Sequence, residues 1–141
     1  MNIKLYSELP REAYDIRYKV FVEEQGFQNE FDEIDKISKH LVLYDSEIPI
    51  ATCRFFQSSY KKYTIGRIAV IKQYRGQNIG SYLLTSAENE IMQIGGTEIY
   101  LHAQDRVREF YEKHGYSCFG KIDLDESCPH IWMCKEIGEN K

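Results

Sequence analysis

Apolar residues recur along this chain with two different periods, and each change of period marks a new element. Ile3-Lys4-Leu5 alternates as a short strand. Leu9, Ala13, Ile16 and Val20 then recur at spacings of four, three and four, which predicts an amphipathic helix. Ser7 is placed to cap it, Pro10 fits its first turn, and Gly26 ends it. Residues 27–38 are acidic and irregular, with room for one short helical turn. Residues 41–44, 48–57 and 63–71 read as strands of an antiparallel meander, separated by turns near 45–47 and 58–62. The longest helix is predicted over residues 80–94. Leu83, Leu84, Ala87, Ile91 and Ile94 form its buried stripe, and Gly95-Gly96 stops it. Residues 99–103 are the next strand, and the order strand, helix, strand implies a right-handed crossover with parallel pairing. Asp105 is placed to cap a helix over 107–114, ended by Gly115, and strands near 116–119 and 131–137 complete the pattern.

The 141 residues predict one α+β domain spanning 1–141. Composition narrows the function. Hydrophobic residues make up 43% and charged residues 28%, as in an ordinary globular protein. No apolar run approaches the roughly 20 residues of a membrane span, and the N-terminus lacks the apolar core of a secretory signal. A cytoplasmic protein with no membrane partner is expected. A net charge of −4 argues against nucleic acid, which needs a concentrated basic surface. Cys53, Cys118, Cys128 and Cys134 are expected as free thiols in a reducing compartment. Cys128, His130 and Cys134 could share a strand face, but the close cysteine pairs of structural zinc are missing, so no metal is expected.

The informative stretch is Gly66-Arg67-Ile68-Ala69-Val70 followed by Tyr74-Arg75-Gly76-Gln77-Asn78-Ile79-Gly80-Ser81. A β-branched run leads into a loop of small residues that opens a helix. Consecutive backbone N–H groups, little side-chain bulk and the positive end of a helix dipole make an anion cradle. The loop lacks the Gly-Lys-Ser/Thr ending of a nucleotide hydrolase.

Arg75 to Gly80 resembles the R/Q-x-x-G-x-G/A motif of the GNAT N-acetyltransferase superfamily, with Asn78 where the first motif glycine is usual. Asn is among the residues best able to adopt positive φ, so the backbone mechanism survives. A second segment, Gln104-x-x-Val107-x-x-Phe110-Tyr111-x-x-x-Gly115-Tyr116, resembles the family's N-x-x-A-x-x-F-Y-x-x-x-G-F. Arg17-x-x-Val20-Phe21-Val22-x-Glu24-Gln25, Glu33-Ile34-Asp35, His40 and Pro129-His130-Ile131-x-Met133 are similar to the ElaA-like branch of small bacterial GNAT proteins. This joint resemblance implies a mixed, mostly antiparallel sheet flanked by helices, with the strands holding Val70 and Leu101 splayed apart.

It also implies acetyl-CoA as cosubstrate. The pyrophosphate would meet the amides of Arg75, Gly76, Gln77, Asn78, Ile79, Gly80 and Ser81. The pantetheine arm would meet the backbone of Ile68, Ala69 and Val70, with Gln104 alongside. The Val70 N–H would polarise the acetyl carbonyl, a strong device when aimed at a developing oxyanion. Tyr111 would protonate the leaving sulfur, and a phenol of ordinary pKa about 10 keeps its proton at neutral pH. The acceptor would be the amine of a small molecule or peptide. Its base is open among Glu24, Glu33, Asp35, His40, His102 and His130, with His130 and Glu24 foremost. Arg17, Phe21, Glu33 and Asp35 are candidate acceptor-binding residues, and Arg17 could instead pair with the acidic segment. That segment, Glu23 to Asp35, could form an acidic wall that steers cationic amines. A homodimer is compatible with the sequence. The competing class is a CoA-binding regulatory module with little catalysis.

Overall fold

The chain opens with β1 (Asn2–Tyr6) and α1 (Arg11–Arg17). The computed structural model describes residues 1–138. Pro10, not Ser7, stands at the N-cap of α1, and no side chain caps the helix. Proline's fixed φ and absent N–H suit a helix entry without a capping hydroxyl. After Arg17 the helix widens into a π-helical stretch, Tyr18–Glu24. Gly26 then takes φ +79°, and the Gly26 and Phe27 amides close onto the carbonyls of Val22 and Phe21 at 3.0 and 2.8 Å.

A short 3-10 turn, Glu33–Ile37, leads into the meander β2 (Lys39–Asp45), β3 (Ile48–Ser59) and β4 (Lys62–Val70). The long helix α2 (Ile79–Gln93) crosses over to β5 (Glu98–Gln104). A second 3-10 turn, Asp105–Val107, enters α3 (Arg108–Lys113), and β6 (Ser117–Asp125) and β7 (Cys128–Glu136) close the chain. The seven strands form one sheet in the order β1-β2-β3-β4-β5-β7-β6. Every pairing is antiparallel except β4 with β5, as the crossover predicts.

Both faces of the sheet are covered. Leu41, Leu43, Phe55, Ile65, Leu101 and Met133 pack with the buried stripe of α2. Val42, Tyr44 and Ala69 pack with Ala13, Ile16 and Val20 of the first helix. The alternation of Leu41, Val42, Leu43 and Tyr44 between the two clusters is the period-two geometry of a strand buried on both sides. Among the described residues no helix is long and apolar enough to cross a membrane.

Three local expectations are corrected. Ile94 is 51% exposed, because α2 ends at Gln93 and Ile94 already leaves helical geometry. Asp105 caps nothing; it lies inside the 3-10 turn, 3.5 Å from Arg108 Nε. The strand expected over 116–119 continues to Asp125. It lies at the sheet edge with nearly all side chains exposed, so no apolar alternation announces its second half.

Gly96 sits where α2 returns to the sheet. A Cβ there would overlap the Ile91 side chain and come within 2.8 Å of Tyr63 Cδ1. Gly96→Ala is expected to destabilise the fold by about 1–3 kcal/mol, the usual cost of overpacking. Chemical denaturation of the two proteins checks this, and a change below about 0.5 kcal/mol would mean that the contact relaxes freely.

Candidate active site

The site begins with a failure of strand pairing. β4 and β5 are in register only over Lys62–Glu98, Tyr63–Ile99 and Thr64–Tyr100. Beyond these three pairs the strands diverge. The cause lies in β4, where Arg67 takes φ 54°. The register with β3 shifts there, from Arg54–Gly66 to Thr52–Ala69. This is a β-bulge, which bends the strand and ends regular pairing. Past the bulge, β4 hugs β3 again. The Ile71 amide donates to the Ile50 carbonyl at 3.0 Å, so Ala51 and Val70 form the non-hydrogen-bonded pair of the ladder. The Val70 N–H therefore points away from β3 into the gap, and Ile68, two residues earlier, has the same orientation.

Directly after β4 comes the loop that opens α2. Gly76 has φ 81° and Asn78 φ 62°, so Asn78 adopts the left-handed conformation that the family motif normally gives to glycine. No side chain caps the first turn of α2, which leaves its amides open to an anion. Ile79 is buried in the core, so only its backbone faces outward.

Gap and loop border a cleft of about 490 Å³. Val20, Phe21, Glu24 and Gln25 of the π-helical stretch form one wall, and Ile68, Val70, Arg75 and Gly80 another. His102, Gln104, Phe110 and Tyr111 line the β5 side, and Asp125, Glu126 and His130 close the far end. A Cβ on Gly80 would come 3.4 Å from the Phe110 ring, so these two lining residues are close neighbours.

Residues 8–137 match the family described as acetyltransferase (GNAT) domain. This chain belongs to the GNAT acetyltransferase family. It is 33% identical over 130 residues to the uncharacterized N-acetyltransferase YjcF of Bacillus subtilis, covering 89% of this chain and 91% of that protein. The Escherichia coli ElaA protein is 26% identical over 128 residues, 86% of this chain and 84% of its own. The ElaA crystal structure superposes with a TM-score of 0.86 over 96% of this chain and 99% of that one, at 24% identity. An aminoglycoside 6'-N-acetyltransferase solved with coenzyme A shares the fold, with a TM-score of 0.79, 18% identity, and 100% and 99% coverage. The splayed GNAT sheet expected from the sequence is thus the fold observed, and the chain is an acyltransferase.

In this GNAT protein, Tyr111 lies in the main core and is 9% exposed. Burial pushes its hydroxyl above the ordinary tyrosine range, so it is protonated at neutral pH. Its hydroxyl has no hydrogen-bond partner among the described residues. Cys53 belongs to the same cluster, and desolvation pushes its thiol up to about 12. All four cysteines are free, and among the described residues no group of His, Cys, Asp or Glu could hold a metal ion.

His130 is 6% exposed and lines the cleft. Its Nδ1 lies 2.8 Å from the Cys128 carbonyl, which can only accept. Nδ1 therefore carries the proton of the neutral ring, and Nε2 has the free lone pair. The His102 ring lies 4.8 Å away, stacked on Trp132 and hydrogen-bonded through Nε2 to Asp123 at 2.7 Å. His102 and Gln104, two apart on β5, both line the cleft. Gln104 donates to Gln25 Oε1 at 2.8 Å and accepts from Arg106 at 2.9 Å, bridging the two walls. His114 serves the end of α3, its Nδ1 2.8 Å from the Phe110 carbonyl.

Other candidates are placed elsewhere. Arg17 is 1% exposed and binds Glu30 Oε2 at 2.8 Å and Asp35 Oδ1 at 2.7 Å. Arg17 and Asp35 do not line the cleft, so they are corrected from acceptor contacts to members of a buried network. Arg54 joins it through Asp32 and Asp35 at 2.6 and 2.9 Å, and Arg67 through Glu30 at 3.0 Å and Asp32 at 3.2 Å. Neighbouring guanidinium groups hold Asp32 and Asp35 below the usual carboxylate range against the opposing cost of burial. For Glu30 burial prevails and raises the pKa. Glu33 is exposed and pairs with Lys36, and His40 is buried against the Asp35 carbonyl, so neither reaches the cleft.

Glu24 does line the cleft, yet both its oxygens are held by Arg75, at 2.5 and 2.8 Å. That hydrogen bonding lowers its pKa and makes it a poor proton acceptor. Arg75 also donates to the Val70 carbonyl at 2.9 Å, which ties the loop before α2 to β4. The acidic wall is thus corrected as well. Most of its carboxylates are consumed by arginines that the sequence places far away.

Sequence reasoning assigned no site role to Arg67, placed Glu30 only within the acidic segment, and missed Asp125 and Glu126, which fall beyond the expected end of β6. Glu126 accepts from the Gln28 and Asn29 amides at 2.7 and 2.8 Å, clasping the β6–β7 turn to the loop after the first helix. Both central residues of that turn, Glu126 and Ser127, are left-handed, at φ 49° and 70°.

Proposed function

We propose that this protein transfers the acetyl group of acetyl-CoA to a primary amine by direct attack. One observation carries the reading. The β4 backbone presents unpaired amides at Ile68 and Val70 to an open gap, and that gap runs into an anion-binding loop at the start of α2. An extended, amide-bearing arm ending in a pyrophosphate fits this combination of an unpaired strand edge and a phosphate cradle.

The chemistry follows from the groups around the gap. The amine nitrogen attacks the thioester carbon. The Val70 N–H donates to the oxygen on which charge develops. His130 Nε2 takes the proton from the amine. The C–S bond breaks as the C–N bond forms, and the Tyr111 hydroxyl donates to the departing sulfur. Its raised pKa makes full transfer uphill until charge has built on sulfur, so its contribution falls late on the path. Phe21, Phe27 and Tyr111 exclude water from the reacting centre.

The test is acetyl-CoA-dependent thiol release across a panel of primary amines. Release requiring both reactants is expected. Gly80→Val should abolish coenzyme binding by calorimetry, because its branched side chain enters the cleft against Phe110. A variant that melts cooperatively and still binds acetyl-CoA at full affinity would move the coenzyme elsewhere.

A further inference from the structure

The cleft lining holds four carboxylates, Glu24, Glu30, Asp125 and Glu126, and three guanidinium groups, Arg67, Arg75 and Arg106. Most are already engaged. Glu24 is chelated by Arg75. Glu30 is held by Arg17 and Arg67. Glu126 accepts two backbone amides. Arg106 donates to Gln104 at the mouth. Asp125 alone of the four carboxylates has no hydrogen bond or ion pair among the described residues, and it is only half-exposed.

Its position is fixed. The β6–β7 register pairs Asp123 with His130 and Asp125 with Cys128. Cross-strand partners share a sheet face, so Asp125 stands on the His130 face as its diagonal neighbour, about 7–8 Å away between backbones. The strained turn beyond it is held by the Glu126 clasp, which stops the hairpin from swinging Asp125 into solvent.

We infer that Asp125 is the acceptor-recognition carboxylate, binding a second cationic group of a diamine-like acceptor while the first amine lies at His130. This inference rests on the acetyl-transfer reading. An unpaired carboxylate in a half-enclosed cleft calls for a cation. Extended 1,4-diaminobutane places its two nitrogens roughly 6 Å apart, from single bonds of about 1.5 Å, and serves as the short diamine probe. Arg67 and Arg75 are each paired with a carboxylate, and Arg106 donates to Gln104 at the mouth as the remaining guanidinium of the lining. His102 is engaged by Asp123 and stacked on Trp132.

The experiment compares 1,4-diaminobutane with butylamine as acceptors for the wild-type protein, Asp125→Asn and Asp125→Glu. The wild type is expected to favour the diamine in kcat/KM. Asp125→Asn should shrink the diamine-to-monoamine ratio by about tenfold, the worth of one charged hydrogen bond. Asp125→Glu should restore part of it. An equal wild-type preference for both amines, or a ratio that survives in Asp125→Asn, overturns the inference while leaving acetyl transfer intact. Calorimetric titration of 1,4-diaminobutane separates the two claims. If acetyl-CoA binds and neither amine is acetylated, the catalytic reading fails. Diamine heat seen with wild type and lost in Asp125→Asn still upholds Asp125, and equal heats reject it.

Discussion

Replacing Tyr111 with phenylalanine is expected to lower kcat on the order of 10²-fold, with acetyl-CoA affinity nearly unchanged. The substitution is clean because of how the ring is held. Tyr111 packs edge-on against Phe110 and Tyr116, with centroids 5.0 and 6.1 Å away, and phenylalanine keeps both contacts. The hydroxyl has no partner among the described residues, so its deletion orphans no other buried group. The variant should melt near the wild-type temperature. A loss of rate would then report on the sulfur, not on the fold. Steady-state kinetics with a poor acceptor, for which chemistry limits turnover, give the measurement. An unchanged kcat there would leave Tyr111 as a packing residue.

The second large effect is on stability. Arg17→Ala is expected to cost about 3–5 kcal/mol, the usual penalty for breaking a buried ion pair from one side. Its guanidinium spans Glu30 and Asp35 at once and also bonds the Glu30 carbonyl at 3.1 Å. It lies 4.8 Å from the Phe31 ring. Removing it takes one of two arginine partners from each of two carboxylates that are themselves almost inaccessible. Denaturant unfolding measures the loss. Because Glu30 also binds Arg67 at the β4 bulge, the damage should extend to the cleft, and coenzyme affinity should weaken in parallel. A cost below about 1 kcal/mol would mean that water replaces Arg17 in the network.

Local periodicity made most of the elements legible in the sequence. The four-three-four spacing that ends at Val20 and the stripe from Leu83 to Ile91 mark amphipathic helices because one face of each must meet a core. The left-handed Asn78 was readable too, since few side chains tolerate that conformation. What escaped depends on partners distant in sequence. Nothing near Arg67 signals a bulge, and the partners of its side chain, Glu30 and Asp32, lie more than thirty residues earlier. The acidic run looked like a free wall for the same reason, as its arginines lie on three different elements. Asp125 was invisible because an exposed edge strand imposes no apolar rhythm on its own sequence. His130 was visible as a candidate, but its tautomer depends on the Cys128 carbonyl two residues back, which only the hairpin geometry supplies.

A sheet ordinarily gives way from its rims, where the outermost strands have one neighbour each. This one has its weakest seam in the middle, at the three-pair junction of β4 and β5. Strands β1 to β4 lie on one side of that seam and β5, β7 and β6 on the other, with one shared core beneath both. Local opening is expected to be cheapest where pairing is sparsest, which is along that seam. On the acetyl-transfer reading proposed above, an arm threaded into the gap would stand in for the missing pairing and couple the two half-sheets.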